Sequence, residues 1–166
     1  MKEYTLQHFG TLSTKNLEEY YVVNIEFEGD EIEIDLNFEK KTIDTITMDK
    51  VKNFIENIEK YDKLNKTSIL TDYNNEDGDI VKSYLEHHLE EVQKDALSNL
   101  IIFDDNTTEP ELQLLKNLKL VRVGLYPDNE DNFAIFDYSI GVEITNYVIV
   151  IYTDENGQLD YMAMES

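Results

Sequence analysis

From residue 31 to residue 38 the chain alternates without a break: Ile32, Ile34, Leu36 and Phe38 fall between Glu31, Glu33, Asp35 and Asn37. A two-residue repeat sends successive side chains to opposite faces of an extended strand, so this stretch has one face for a core and one for water. The preceding run, 21–27, is rich in β-branched and aromatic residues, and Glu28-Gly29-Asp30 supplies a turn. Residues 20–38 therefore predict a hairpin.

The period then changes. Met48, Val51, Phe54, Ile55, Ile58 and Tyr61 follow three-and-four spacing, which predicts an amphipathic helix over 47–61 with Thr47 as its cap. A further helix is expected over 62–72. Asn74, Asn75 and Gly78 mark a break, and Asp77 or Asp79 is placed to cap a helix striped by Val81, Tyr84, Leu85, His88, Leu89, Val92 and Ala96. Thr108 and Glu111 stand at capping-box spacing around Pro110, opening a short helix to about Leu118. Beyond it, 120–126, 133–140, 147–152 and 159–164 read as strands, with loops at 127–131 and 154–157. The run 147–152 is apolar on both sides, which predicts a central strand covered on both faces. With 166 residues, 41% of them hydrophobic, and only 6 Gly and 2 Pro, the expectation is one α+β domain over 1–166. It should have a mainly antiparallel sheet, from the N-terminal hairpin and a C-terminal four-strand meander, with about three to four helices on one face.

Charge narrows the function classes. The net charge is −22, and residues 127–166 carry nine acids and no base. Such a field repels nucleic acid and anionic membrane and steers cationic partners inward; solubility alone, or a halophilic surface, is the alternative reading of the same charge. The absence of cysteine excludes disulfides, thiolate metal sites and a cysteine nucleophile. No stretch approaches the roughly 20 apolar residues of a membrane span, and the N-terminus has no signal-like apolar run, so the cytoplasm is the expected compartment.

Catalytic patterns are sparse. His88 lies in the centre of a helix stripe and His87 at its edge. A core histidine with a hydrogen-bonded nitrogen is one reading, and a proton-sensing or catalytic residue the other. His8 stands alone, and His87 with Glu91 lacks a third zinc ligand. Aligning Gly78 with the glycine of an EF-hand loop places Asn75 and Asp77 at ligand positions but puts Tyr73 and Tyr84 where the first and last carboxylates belong, so that match fails. There is no GxSxG and no phosphate-cradling glycine loop; Gly124 is isolated. No catalytic residue, metal or cofactor is expected. Arg122, the single arginine, should pair across the sheet with Asp137 in the neighbouring strand.

What remains is a surface. Glu26 and Glu28 on one strand of the hairpin and Glu31, Glu33 and Asp35 on its mate are expected on one face, where like charges oppose across the ladder. A lysine- or arginine-rich protein would relieve that repulsion; an edge hairpin kept soluble by charge is the alternative. Asp128, Glu130 and Asp131 in the loop between the first two C-terminal strands form a second acidic candidate, or a solvated loop.

HFG at 8–10, YYVVNIEFEGDEIEIDLNFE at 20–39, EDGDIVKSYLEHHLEE at 76–91 and LVRVGLYPDNEDNFAIFDYSIG at 120–141 together resemble a family of bacterial proteins catalogued as a domain of unknown function. The resemblance spans nearly the whole chain and carries over no catalytic or binding residue. Such small acidic domains look like immunity proteins of bacterial toxin systems, which implies a non-enzymatic protein that masks a basic partner such as a toxin. Two other readings stay open: an enzyme with a histidine and carboxylate site, and a structural domain that self-associates through a sheet edge.

Overall fold

The structure, a computed structural model, describes residues 3–166. It is α+β: a small antiparallel hairpin, a six-stranded sheet and five helices. The small hairpin, β1 (Glu3–Leu6) and β2 (Gly10–Ser13), had no counterpart in the sequence reading. Its strands are four residues each, too short to show periodicity. His8 and Gly10 turn the chain with φ of 71° and 77°. Leu6 and Leu12 carry the hairpin into the core.

Next come β3 (Tyr20–Phe27) and β4 (Asp30–Asn37), the hairpin that alternation predicts. Phe27 pairs with Asp30, so the connection is the two residues Glu28 and Gly29, with φ of 51° and 87°. Positive φ at both central positions defines the turn type whose twist matches the flanking strands. Glycine adopts it freely. Glu28 does so at a cost, with its carboxylate 3.2 Å from Lys66 Nζ.

The helical stripe over 47–61 is divided. α1 (Thr45–Glu56) and α2 (Ile58–Asn74) break at Asn57, whose side chain donates back to the Asn53 carbonyl at 2.7 Å. Asp44, rather than Thr47, caps α1 by accepting from the Thr47 N–H at 2.7 Å. α3 (Ile80–Glu91) ends before the predicted stripe does, and a single turn, α4 (Lys94–Leu97), follows. Asp79 stands at the N-cap of α3, as one of the two expected positions, but its side chain makes no capping bond; Asp72 reaches from α2 instead and accepts from the Val81 N–H at 2.8 Å. α5 (Pro110–Lys116) starts at Pro110 with no side-chain cap. Gln113 ties its loop down instead, through the Ile102 and Thr108 carbonyls.

β5 (Lys119–Leu125), β6 (Ala134–Ser139), β7 (Val148–Thr153) and β8 (Leu159–Glu165) complete the sheet, in the order β3-β4-β5-β6-β7-β8. All neighbours are antiparallel except β4 and β5, which run parallel and join the N-terminal hairpin to the meander. Their α-helical crossover holds all five helices, which places the helices together on one face. The register aligns Val23, Ile34, Val123, Phe136, Ile151 and Met162 along that face. Phe54 of α1 packs on Phe136 with ring centroids 5.8 Å apart. β7 is not central: it stands one strand from the edge, with Ile149 and Ile151 turned toward the helices and Val150 buried on the far side.

One polar group of residues crosses the core. The Tyr138 hydroxyl donates to Asp62 Oδ1 at 2.7 Å, and Asp62 Oδ2 lies 3.1 Å from Lys66 Nζ. That second contact is too poorly aligned for a hydrogen bond, and leaves a charge pairing. Burial pushes the Lys66 ammonium toward lower pKa, but Asp62 and Glu28 outweigh it and the net shift is upward.

Candidate functional site

The far face of the sheet is built by the positions that alternate with the core. Across it the register places Asn24, Glu33, Arg122, Asp137, Val150 and Ala163 in one row. The next row holds Val22, Asp35, Gly124, Ile135, Tyr152 and Tyr161. The hydrogen bonds and stacking contacts of Arg122, Asp35, Tyr152 and Tyr161 run to side chains of the same sheet and of Tyr126, which follows β5. None of these contacts runs to a helix. Tyr20, Val22 and Tyr161 are 52%, 45% and 47% exposed on this face, large apolar areas left in water.

Arg122 organises the centre. Its guanidinium lies across β5 and grips Asp35 of β4 with both branches, Nε to Oδ2 at 2.7 Å and Nη2 to Oδ1 at 2.9 Å. Nη2 also donates to the Tyr126 hydroxyl at 2.8 Å. The glycine that stood alone in the sequence explains the path. A Cβ on Gly124 would come within 2.5 Å of Arg122 Nη2 and 3.1 Å of Asp35 Oδ1, so a side chain there would push the guanidinium off its path to Asp35. Asp137 is the cross-strand partner of Arg122, as expected, but its contact is the longer one, Nη1 to Oδ2 at 3.4 Å. Glu33 stands at 3.9 Å.

Three carboxylates thus share one guanidinium, and the guanidinium does not neutralise them. Burial raises the pKa of the Asp137 carboxyl. Arg122 opposes the rise, Asp35 and Glu165 add to it, and the net shift is upward. On the guanidinium, burial disfavours the charge, yet the bonds to Asp35 and Tyr126 prevail and hold it more firmly protonated than usual. Toward β8, Tyr152 donates to Glu165 and stacks on Tyr161 with centroids 4.1 Å apart and planes at 11°. The face offers carboxylates and aromatic faces together, the two groups that attract ammonium and guanidinium ions.

The structure separates the acidic residues singled out in the sequence. Glu26 and Glu31 are exposed and directly opposed, with Glu33 beside them against Asn24. Asp35 shares their face but is fully buried and committed to Arg122 and Asn37. Glu28 leaves the face: it belongs to the turn and reaches the helix side, to Lys66. Asp128 holds the backbone N–H groups of Glu39 and Lys40 at 2.9–3.0 Å, while Glu130 and Asp131 are exposed in the same loop. Because β4 and β5 are parallel, that loop lies at the opposite end of the strands from Glu26 and Glu31, so the two acidic candidates do not merge.

The histidine stripe is accounted for by packing. His88 is fully buried. Its Nδ1 faces the Tyr84 carbonyl at 2.6 Å, and a carbonyl only accepts, so Nδ1 carries the proton. Nε2 then accepts from the Thr145 hydroxyl at 2.8 Å. Burial lowers the pKa of His88 and the neighbouring His87 lowers it further, against the opposing effect of the Tyr84 bond. The depression between α2 and α5 and the one beside the start of α1 are lined by other residues than histidine. Among the described residues no three His, Asp or Glu side chains gather as a metal site requires, and no helix is long and apolar enough to cross a membrane. Comparison with protein-family models, with curated proteins and with solved structures found no match to this chain.

Proposed function

We propose that this chain is a non-enzymatic binding protein that receives a basic protein on the open face of its sheet, in the manner of an immunity or inhibitor protein masking a toxin. The observation that carries this reading is the composition of that face. Glu26, Glu31, Glu33, Asp35, Asp137 and Glu165 stand there with Arg122 bonded among them, and tyrosines flank them. Carboxylates opposed across a ladder cost stability, and lysines or arginines of a partner would turn that cost into attraction. Exposed tyrosines beside them supply the anchoring area that charge alone does not. The bound protein would be held in a salt-sensitive complex formed quickly under electrostatic steering.

The test is capture from the source cell's lysate at low salt, with wild-type protein and the triple variant E26K/E31K/E33K side by side, a salt step for elution, and mass spectrometry. The reading expects one basic protein in stoichiometric amount on the wild type and its loss on the variant. Equal retention by both, or a spread of weakly held basic proteins, would overturn it.

A further inference from the structure

On the helix side, away from the acidic face, a cavity of about 540 Å³ opens between the β3–β4 turn, α2, α5 and the start of β5. The volume falls in the range of about 300–1,000 Å³ typical of small-molecule sites. Ile69, Leu118 and Leu120, each no more than 8% exposed, form its floor. Leu70 and Leu112, 50% and 36% exposed, stand at its mouth. Apolar walls left open to water are costly at roughly 25 cal/mol per Å², and an apolar occupant would recover that free energy.

The charges at the mouth define the occupant further. In a chain of 36 acids and 14 bases, Lys66, Lys116 and Lys119 all line this cavity. Two of them are committed. Lys66 sits 3.2 Å from Glu28 and 3.1 Å from Asp62, and Lys119 sits 3.2 Å from Asp30. Lys116 makes no ion pair among the described residues; it exerts only a longer-range pull on Asp105. The cavity therefore combines an apolar interior with a lining lysine, Lys116, that makes no ion pair among the described residues. Glu28 takes its unfavourable backbone conformation at this same rim, where its carboxylate fixes Lys66.

We infer that this cavity is a binding site for a small apolar monocarboxylic acid, whose hydrocarbon body lies on the leucine and isoleucine walls and whose carboxylate meets Lys116. The committed carboxylates exclude a second anionic group, so a dianion or a phosphate ester would be disfavoured. A cationic amphiphile, which the overall charge would attract elsewhere on the surface, would meet Lys116 here and be repelled.

The probe is 1-anilinonaphthalene-8-sulfonate, an aromatic body with one anionic group, titrated into the full-length protein at low ionic strength and followed by fluorescence. Saturable 1:1 binding is expected, with displacement by dodecanoate below its micellar concentration and at least tenfold weaker displacement by dodecylamine. Lys116→Glu, an exposed change, should weaken dodecanoate at least tenfold. Leu112→Arg, at the mouth, should abolish the signal, with circular dichroism confirming that both variants fold. Absence of saturable binding, displacement by the amine as effective as by the acid, or unchanged dodecanoate affinity in the Lys116 variant would each overturn the inference.

Discussion

Replacing Arg122 by methionine keeps a long side chain on the sheet but strips Asp35 of its counterion. Asp35 is fully buried, and Arg122 holds both of its oxygens, at 2.7 and 2.9 Å. Without the guanidinium, the side-chain donor left to Asp35 among the described residues is the Asn37 amide, at 2.6 Å. Breaking a buried pair by removing one member costs about 3–5 kcal/mol, because the other charge is left uncompensated in a low dielectric. Against a total stability of about 5–15 kcal/mol, that is a large share. At about 2–4 °C per kcal/mol for a chain of this length, the melting temperature should fall by roughly 6–20 °C. Urea denaturation of Arg122→Met, Asp35→Leu and the double variant measures the coupling. The double variant, which removes both charges, should be more stable than Arg122→Met alone. A loss below about 1 kcal/mol in Arg122→Met, or a double variant equal to the sum of the singles, would refute the argument.

Gly124→Ala should displace the guanidinium, since its new methyl would stand 2.5 Å from Nη2; a loss of about 1–3 kcal/mol in urea is expected. Glu26→Gln should raise stability by a few tenths of a kcal/mol, because it removes the like charge opposite Glu31; a loss would mean the opposed pair is not repulsive. His88 titrates with a lowered pKa in the fold, so its contribution is complete above the unfolded value of 6.5 and is lost as pH falls from there through the folded value. Asp137, with a raised pKa, works in the opposite direction, its stabilisation being greatest below 3.8 and lost as pH rises through its folded value. The readout is therefore the signed difference: as pH falls from 7 to 5 the urea midpoint of the wild type should move downward relative to that of His88→Gln.

The β3–β4 hairpin and the four C-terminal strands are legible because each carries its own evidence, an alternation bounded by turn residues. The parallel contact between β4 and β5 carries none. Asp35 and Arg122 lie 87 residues apart, and nothing local announces that their strands are neighbours. For that reason Asp137, adjacent in the meander, was the visible partner for Arg122 while Asp35 was not. Glu28 was misplaced for a related reason: strict alternation was carried one residue too far, into a two-residue turn that redirects the side chain. The helix break at Asn57 is hidden because Ile58 and Tyr61 continue the apolar spacing of α1 while beginning the buried face of α2. The cavity was invisible because Phe27, Ile69, Leu115 and Leu120 come from four separate elements. Of the acidic face, the trio Glu26, Glu31 and Glu33 could be read from the alternation, but Tyr152, Tyr161 and Glu165 join it only through the order of the strands.

On the proposed function, the open face of the sheet, and not the helix side, would meet a basic partner. Carbodiimide labelling of carboxylates in the free protein and in its complex with the captured basic protein, read residue by residue by mass spectrometry, measures this directly. The account predicts that Glu26, Glu31 and Glu33 lose reactivity in the complex while Glu76 and Glu90, exposed on the helix side, keep theirs. Protection of Glu76 and Glu90 with the hairpin still fully reactive would contradict it.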